Sequence, residues 1–219
     1  MKLTLVKKSI PALALLALGA IHASAGESPA LEKLAEGNRR YVGGRALHPR
    51  QDEVRRAEVA AGQKPFAVVV GCSDSRTPPE ILFDQGLGDL FVTRLAGNVA
   101  DDAALGSIEF AVAKLGARVV VVLGHEKCGA VTAAVDTVNT GSVPPAHLAS
   151  FVDAIRPAAE SVKGQPGDPV DNAVRANVKG IVEKLKASNP VLAPLVQSGE
   201  LEIVGARYDL DSGKVEFFH

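Results

Sequence analysis

The chain has 219 residues, with 24 Lys or Arg against 25 Asp or Glu and 47% hydrophobic side chains. That length suits a single domain of about 100–200 residues with a sizeable core. The charges nearly cancel, no Lys/Arg block occurs, and tryptophan is absent, so no nucleic-acid partner is expected.

In chain order, the first residues read as an address. Lys2, Lys7 and Lys8 accompany an apolar run from Ile10 to Ile21, and Ala23-Ser24-Ala25 supplies the small residues a signal peptidase reads. The run is shorter than the roughly 20 residues a membrane span needs. The expectation is a signal peptide over 1–25 cut after Ala25, no stable membrane anchor, and a single periplasmic domain over 26–219. Ser28 and Pro29 then suit an N-cap and first helical position. A second, polar helix is expected from Arg50 to Ala61, stopped by Gly62 and Pro65. The two form a helical arm over about 28–62, laid on the core or on a partner, because neither shows a wide apolar face.

The pattern then changes. Phe66 to Val70, Leu90 to Val92 and Val119 to Leu123 are continuous apolar runs, the first closed by Gly71 and the third by Gly124. Runs apolar on both faces are what central parallel strands show. Helices are expected from Asp102 to Leu115, from Cys128 to about Val138, from Ala146 to Ser161 and from Pro169 to Ala187. Leu201 to Tyr208 and Lys214 to Phe218 flank a turn at Asp211-Ser212-Gly213 and read as a hairpin. The fold class is α/β, a parallel sheet with an added antiparallel edge strand, flanked by helices.

The chemistry-bearing residues sit where the two strongest strands end. One strand runs into Gly71-Cys72-Ser73-Asp74-Ser75-Arg76, the other into Gly124-His125-Glu126-Lys127-Cys128-Gly129. The carboxyl ends of parallel strands line the ligand crevice, so both motifs open into one space if those strands are neighbours. Two thiolates and an imidazole suit zinc with an open fourth position. Cys72, Asp74 and Arg76 share a face if the chain is extended. Arg76 can then hold Asp74 in a bidentate pair, from which the carboxylate could also swing in as a fourth ligand. An even cysteine count in an exported chain also fits one structural disulfide.

Cys-Ser-Asp-Ser-Arg at 72–76 with His-x-x-Cys-Gly at 125–129 resembles the signature of β-class carbonic anhydrases. The likeness extends through Gly-Gln-Lys-Pro-Phe at 62–66, the stretch 90–98, Ser-Ile-Glu-Phe-Ala-Val at 107–112 and the closing hairpin. It implies a four-stranded parallel sheet with a fifth antiparallel strand, and homodimers or assemblies of dimers. It also implies one Zn2+ per chain and reversible hydration of carbon dioxide to bicarbonate by zinc-bound hydroxide. The resemblance puts the metal on Cys72, His125 and Cys128, with Asp74 able to close on it, and makes Asp74 and Arg76 the catalytic pair. The substrate pocket falls to Gln63, Phe91, Ala96, Phe110 and Gly129, several of them contributed across the dimer interface. Members often carry Val at the position of Ala96 and Tyr at that of Phe110, which implies a slightly wider pocket lacking one hydroxyl. Val69 replaces the Trp found in members whose Asp closes the site, which points to the open kind. Three other readings use the same residues: a zinc hydrolase of carbonyl sulfide or carbon disulfide, a cysteine hydrolase with Cys72 as nucleophile, and a metal-free disulfide, redox or binding protein.

Overall fold

The computed structural model describes residues 28–218, so the signal peptide expected over 1–25 lies outside the described residues. Five strands form one sheet: β1 (Ala67–Gly71), β2 (Leu90–Arg94), β3 (Val119–His125), β4 (Glu202–Tyr208) and β5 (Val215–Phe218). Their order is β2-β1-β3-β4-β5. The first four are mutually parallel and β5 pairs antiparallel to β4, the arrangement the sequence pattern predicts. Because β1 and β3 are direct neighbours, with Gly71 opposite Leu123, their carboxyl ends open side by side.

Alternation along the central strands divides the core in two. Val68, Val70, Val120 and Val122 face one side. There they meet α4 (Asp102–Ala113) through Ile108 and Val112, and α7 (Pro169–Lys186) through Val178 and Leu185. Ala67, Val69, Val119 and Val121 face the other side and pack on Leu31 and Leu34 of α1 (Pro29–Val42) and on Leu82 of α3 (Pro79–Leu82). Every residue of β1 and β3 is buried, as period-2 side chains covered on both faces require. A third cluster joins Cys72 and Cys128 to α5 (Gly129–Thr140), α6 (Leu148–Ser161) and α7. It seals the end of the sheet where the two motifs lie.

Gly124 is needed where β3 meets α7. A Cβ there would stand 2.6 Å from Val178 Cγ2 and 3.0 Å from Val174 Cγ1, so only glycine lets the helix lie this close to the strand before His125.

The first helix is laid on the core, one of the two placements expected of the arm, and it enters that core despite its narrow apolar face. Ser28 caps it by accepting from Leu31 N, and Leu31 and Leu34 are fully buried in the core. Its Asn38 amide donates to Leu82 O and Gly213 O and accepts from Val215 N. A narrow apolar stripe plus one fully bonded polar residue docks the helix, which a search for a wide apolar face overlooks. By contrast α2 (Glu53–Ala60) buries no residue. One expectation needs correcting: residues 72–76 are not extended through Arg76. The chain turns after Asp74, with Thr77 N bonded to Asp74 O. The sequence pattern also gives no sign of two short helices, α3 and α8 (Leu192–Gln197).

Candidate metal centre

His125 ends β3, Cys72 follows β1, and Cys128 is the N-cap of α5. Lys127 takes a left-handed backbone, φ 51°, in the tight turn that carries the chain from His125 to Cys128. One donor atom from each of Cys72, His125 and Cys128 lies within 4.8 Å of the other two, and all three residues are buried. The two sulfurs are 4.0 Å apart and both cysteines are free. A disulfide needs about 2.05 Å, whereas two sulfurs about 2.3 Å from a tetrahedral zinc stand about 3.8 Å apart.

The imidazole is set up as a ligand. His125 Nδ1 donates to Glu126 O at 2.8 Å, which leaves the lone pair on Nε2. Nε2 is buried and has no hydrogen-bond partner. A buried acceptor left open is costly unless something meets it, and a metal between the two sulfurs would do so. The residues present fit zinc.

The two sulfurs are close enough to hydrogen-bond, so the loss of a proton from one opposes its loss from the other. The hydrogen bond from Cys128 lowers the Cys72 thiol to about 4, burial opposing, with His125 and the N–H groups of Asp74 and Gly97 adding to the fall. The Cys128 thiol is pushed up by the same hydrogen bond and by burial. One proton leaves easily and the second is held, and these belong to the pair rather than to either residue. The N–H groups of Gly97 (3.3 Å) and Asp74 (3.4 Å) meet Cys72 Sγ, and the N-terminus of α5 favours negative charge at Cys128.

Asp74 is held by Arg76, in the pair from which it could otherwise swing in as a fourth ligand. Arg76 donates from Nε to Oδ1 at 2.9 Å, from Nη2 to Oδ2 at 2.7 Å and from its backbone N to Oδ1 at 2.9 Å. The pair is therefore bidentate as expected, but a turn makes it rather than an extended strand. The Arg76 side-chain hydrogen bonds, against some burial, hold the Asp74 carboxyl well below the usual carboxylate range. Its Oδ2 still lies 3.8 Å from His125 Nε2, at the edge of the cluster and turned off it.

The pocket residues are more dispersed within one protomer. Gly129 follows Cys128 directly, and a Cβ there would meet nothing within 4 Å. Ala96 begins the short 3-10 turn Ala96–Asn98, whose Gly97 N–H reaches Cys72, and it lines a cavity of about 400 Å3 with Leu95, Val99 and Phe151. Phe91 and Phe110 meet each other with ring centroids 6.5 Å apart, and Phe110 is 49% exposed. Gln63 lines a separate surface hollow with Val59, Leu87 and Gly88.

Sequence reasoning missed Arg94. It ends β2 opposite Gly71, and its guanidinium donates to Cys72 O at 2.7 Å and Asp74 O at 2.5 Å. The available signal was a lone cation closing an apolar strand beside the cysteine strand.

Comparison with known proteins agrees with this geometry. The family model for carbonic anhydrase matches residues 67–215. Carbonic anhydrase 2 of Mycobacterium tuberculosis is 45% identical over 185 residues, covering 84% of this chain and 89% of the relative. The carbonic anhydrase of Mycolicibacterium smegmatis is 43% identical over 187 residues, covering 85% and 91%. Among solved structures, the β-carbonic anhydrase CafA of Aspergillus fumigatus superposes with a TM-score of 0.64 at 32% identity, over 74% of this chain and 79% of its own. The paired motifs, the sheet order and these relatives agree: the chain belongs to the β-class carbonic anhydrases, enzymes of reversible carbon dioxide hydration.

Proposed function

We propose that this carbonic anhydrase works with one zinc ion held by Cys72, His125 and Cys128. The observation that carries the reading is the buried, unpartnered His125 Nε2 facing two free cysteines. Zinc, when bound, acidifies a water to a pKa near 7 and so supplies hydroxide at neutral pH.

The chain's own residues do the rest. His125 keeps its Nε2 lone pair available because Glu126 O takes the Nδ1 proton. Asp74 stays ionised on Arg76, so its Oδ2 can accept a hydrogen bond from the attacking oxygen and aim it toward substrate. Arg76 acts through Asp74 as a positioning residue. Gly129 leaves open space beside Cys128 for carbon dioxide, and its backbone N–H is suited to bicarbonate. Phe91, Ala96 and Phe110 supply the apolar wall. Gln63 completes the pocket from a partner subunit in a homodimer, with exposed Leu47, Val54, Ile81, Leu87 and Phe110 as the apolar surface that would be covered. The mature enzyme acts in the periplasm after cleavage at Ala25. Among the described residues no helix is long and apolar enough to cross a membrane.

The test replaces Cys72 or Cys128 by Ser and measures zinc by elemental analysis together with carbon dioxide hydration. Loss of both supports the assignment. Retention of hydration in either metal-free variant would exclude it.

A further inference from the structure

The segment that carries both Cys72 and Asp74 has no regular secondary structure, yet both side chains must be placed within tenths of an ångström. Residues 72–74 lie between the end of β1 and the turn at Ser75-Arg76. Their backbone is tied to the end of β2. Leu95 N donates to Gly71 O, and Ser73 N to Leu95 O, each at 3.2 Å. Ser73 Oγ donates to Arg94 O at 3.2 Å. Into this frame Arg94 sends its guanidinium, with Nε on Cys72 O at 2.7 Å and Nη2 on Asp74 O at 2.5 Å.

We propose that Arg94 is a positioning residue for the hydration reaction, its guanidinium fork fixing the separation of the Cys72 and Asp74 backbones and so the placement of Asp74 against the metal ligands. The inference rests on the zinc reading above. A guanidinium is planar and rigid and donates in two directions at once, so its two bonds set a distance between alternate carbonyls, which a lysine ammonium cannot. Asp74 O has other donors in Thr77 N and Thr77 Oγ1, each at 3.1 Å. Arg94 is what links that turn to the carbonyl of the ligand residue. Without the fork the ligand and the carboxylate remain present but their mutual geometry relaxes. Displacements of about 1 Å at a reacting centre lower rates by as much as about a hundredfold.

The experiment compares the wild-type holoenzyme with Arg94→Lys and Arg94→Gln, each assayed by stopped-flow carbon dioxide hydration and scored per bound zinc. Cobalt(II)-loaded forms give an absorption spectrum that reports on ligand geometry without turnover. The expected result is a fall in kcat per bound metal of about fivefold or more in both folded variants, with KM changed far less. A merely structural role would lower Tm and leave kcat per bound metal intact. The cobalt bands locate the relaxation: shifted bands place it at Cys72, unshifted bands at Asp74. A folded variant that no longer retains zinc also supports the proposal. A fall of less than about fivefold overturns it whatever happens to Tm, and so does failure of both variants to fold. If the wild-type protein itself binds no zinc or hydrates carbon dioxide without it, the zinc reading fails instead, which is a separate outcome.

Discussion

At the residue scale, the centre depends on which lone pairs are left open. Glu126 O takes the Nδ1 proton of His125, the N–H groups of Gly97 and Asp74 support sulfur at Cys72, and Arg76 occupies both oxygens of Asp74. Each arrangement stabilises the charge state a ligand or acceptor needs. Replacing Asp74 by Asn keeps the shape but removes the charge and one acceptor oxygen from Arg76. The variant should retain zinc and lose about 10- to 100-fold in kcat, as measured by stopped-flow hydration beside metal analysis. Wild-type kcat in Asp74→Asn would remove Asp74 from the mechanism. The three proposed ligands were legible in the sequence because each lies within a few residues of a buried apolar strand end. Arg94 was not picked out, because its partners are main-chain carbonyls, and its place at a strand end marks a cation there without saying what it bonds.

At the scale of elements, α1 and the segment after it are held by buried polar residues rather than by apolar area alone. Asn38 uses its amide for three backbone groups on other segments of the chain. Asn38→Ala would leave those groups unpaired and should lower stability by about 1–3 kcal/mol, read as a lower midpoint in urea. Asp84 plays the same role for residues 47–48. Its buried carboxylate accepts from Leu47 N, His48 N and Arg40 Nε. Burial alone would raise its pKa, but the Leu47 N–H, Arg40 and the His48 N–H together outweigh it and hold the carboxyl below its ordinary value. A carboxyl that titrates lower folded than unfolded adds stability that is complete above its unfolded pKa. That stability is lost as pH falls through the lowered folded value. The gap in Tm between the wild type and Asp84→Asn should therefore be wide at neutral pH, start to close only below about pH 4, and vanish once pH has fallen through the lower folded value. An equal gap at all pH values would contradict this role. The sequence showed both helices but not how they differ, since docking through one asparagine leaves the apolar pattern of α1 narrow.

At the scale of the whole molecule, the apolar runs mark the strands, while the sheet order makes the cysteine strand and the histidine strand neighbours and so sets the site. The strands themselves, including the antiparallel edge strand at the hairpin, are readable in the pattern of residues; the adjacency of β1 and β3 was a condition that the structure meets. The short helices α3 and α8 escape because four- and six-residue segments show no helical period. Within one protomer Gln63 lines a hollow of its own and Phe110 is half exposed, so the pocket proposed above needs a partner subunit to bring them together. Sedimentation of the enzyme should accordingly give the mass of a dimer or a multiple of it. A fully active monomer would move Gln63 out of the pocket.

The most direct measurement is metal content and carbon dioxide hydration on the same preparation, before chelation, after it, and after zinc is returned. The expected result is about one zinc per chain, hydration that disappears with the metal, and recovery on reloading with Cys72 and Cys128 still reduced. Undiminished hydration in protein stripped of metal would contradict it.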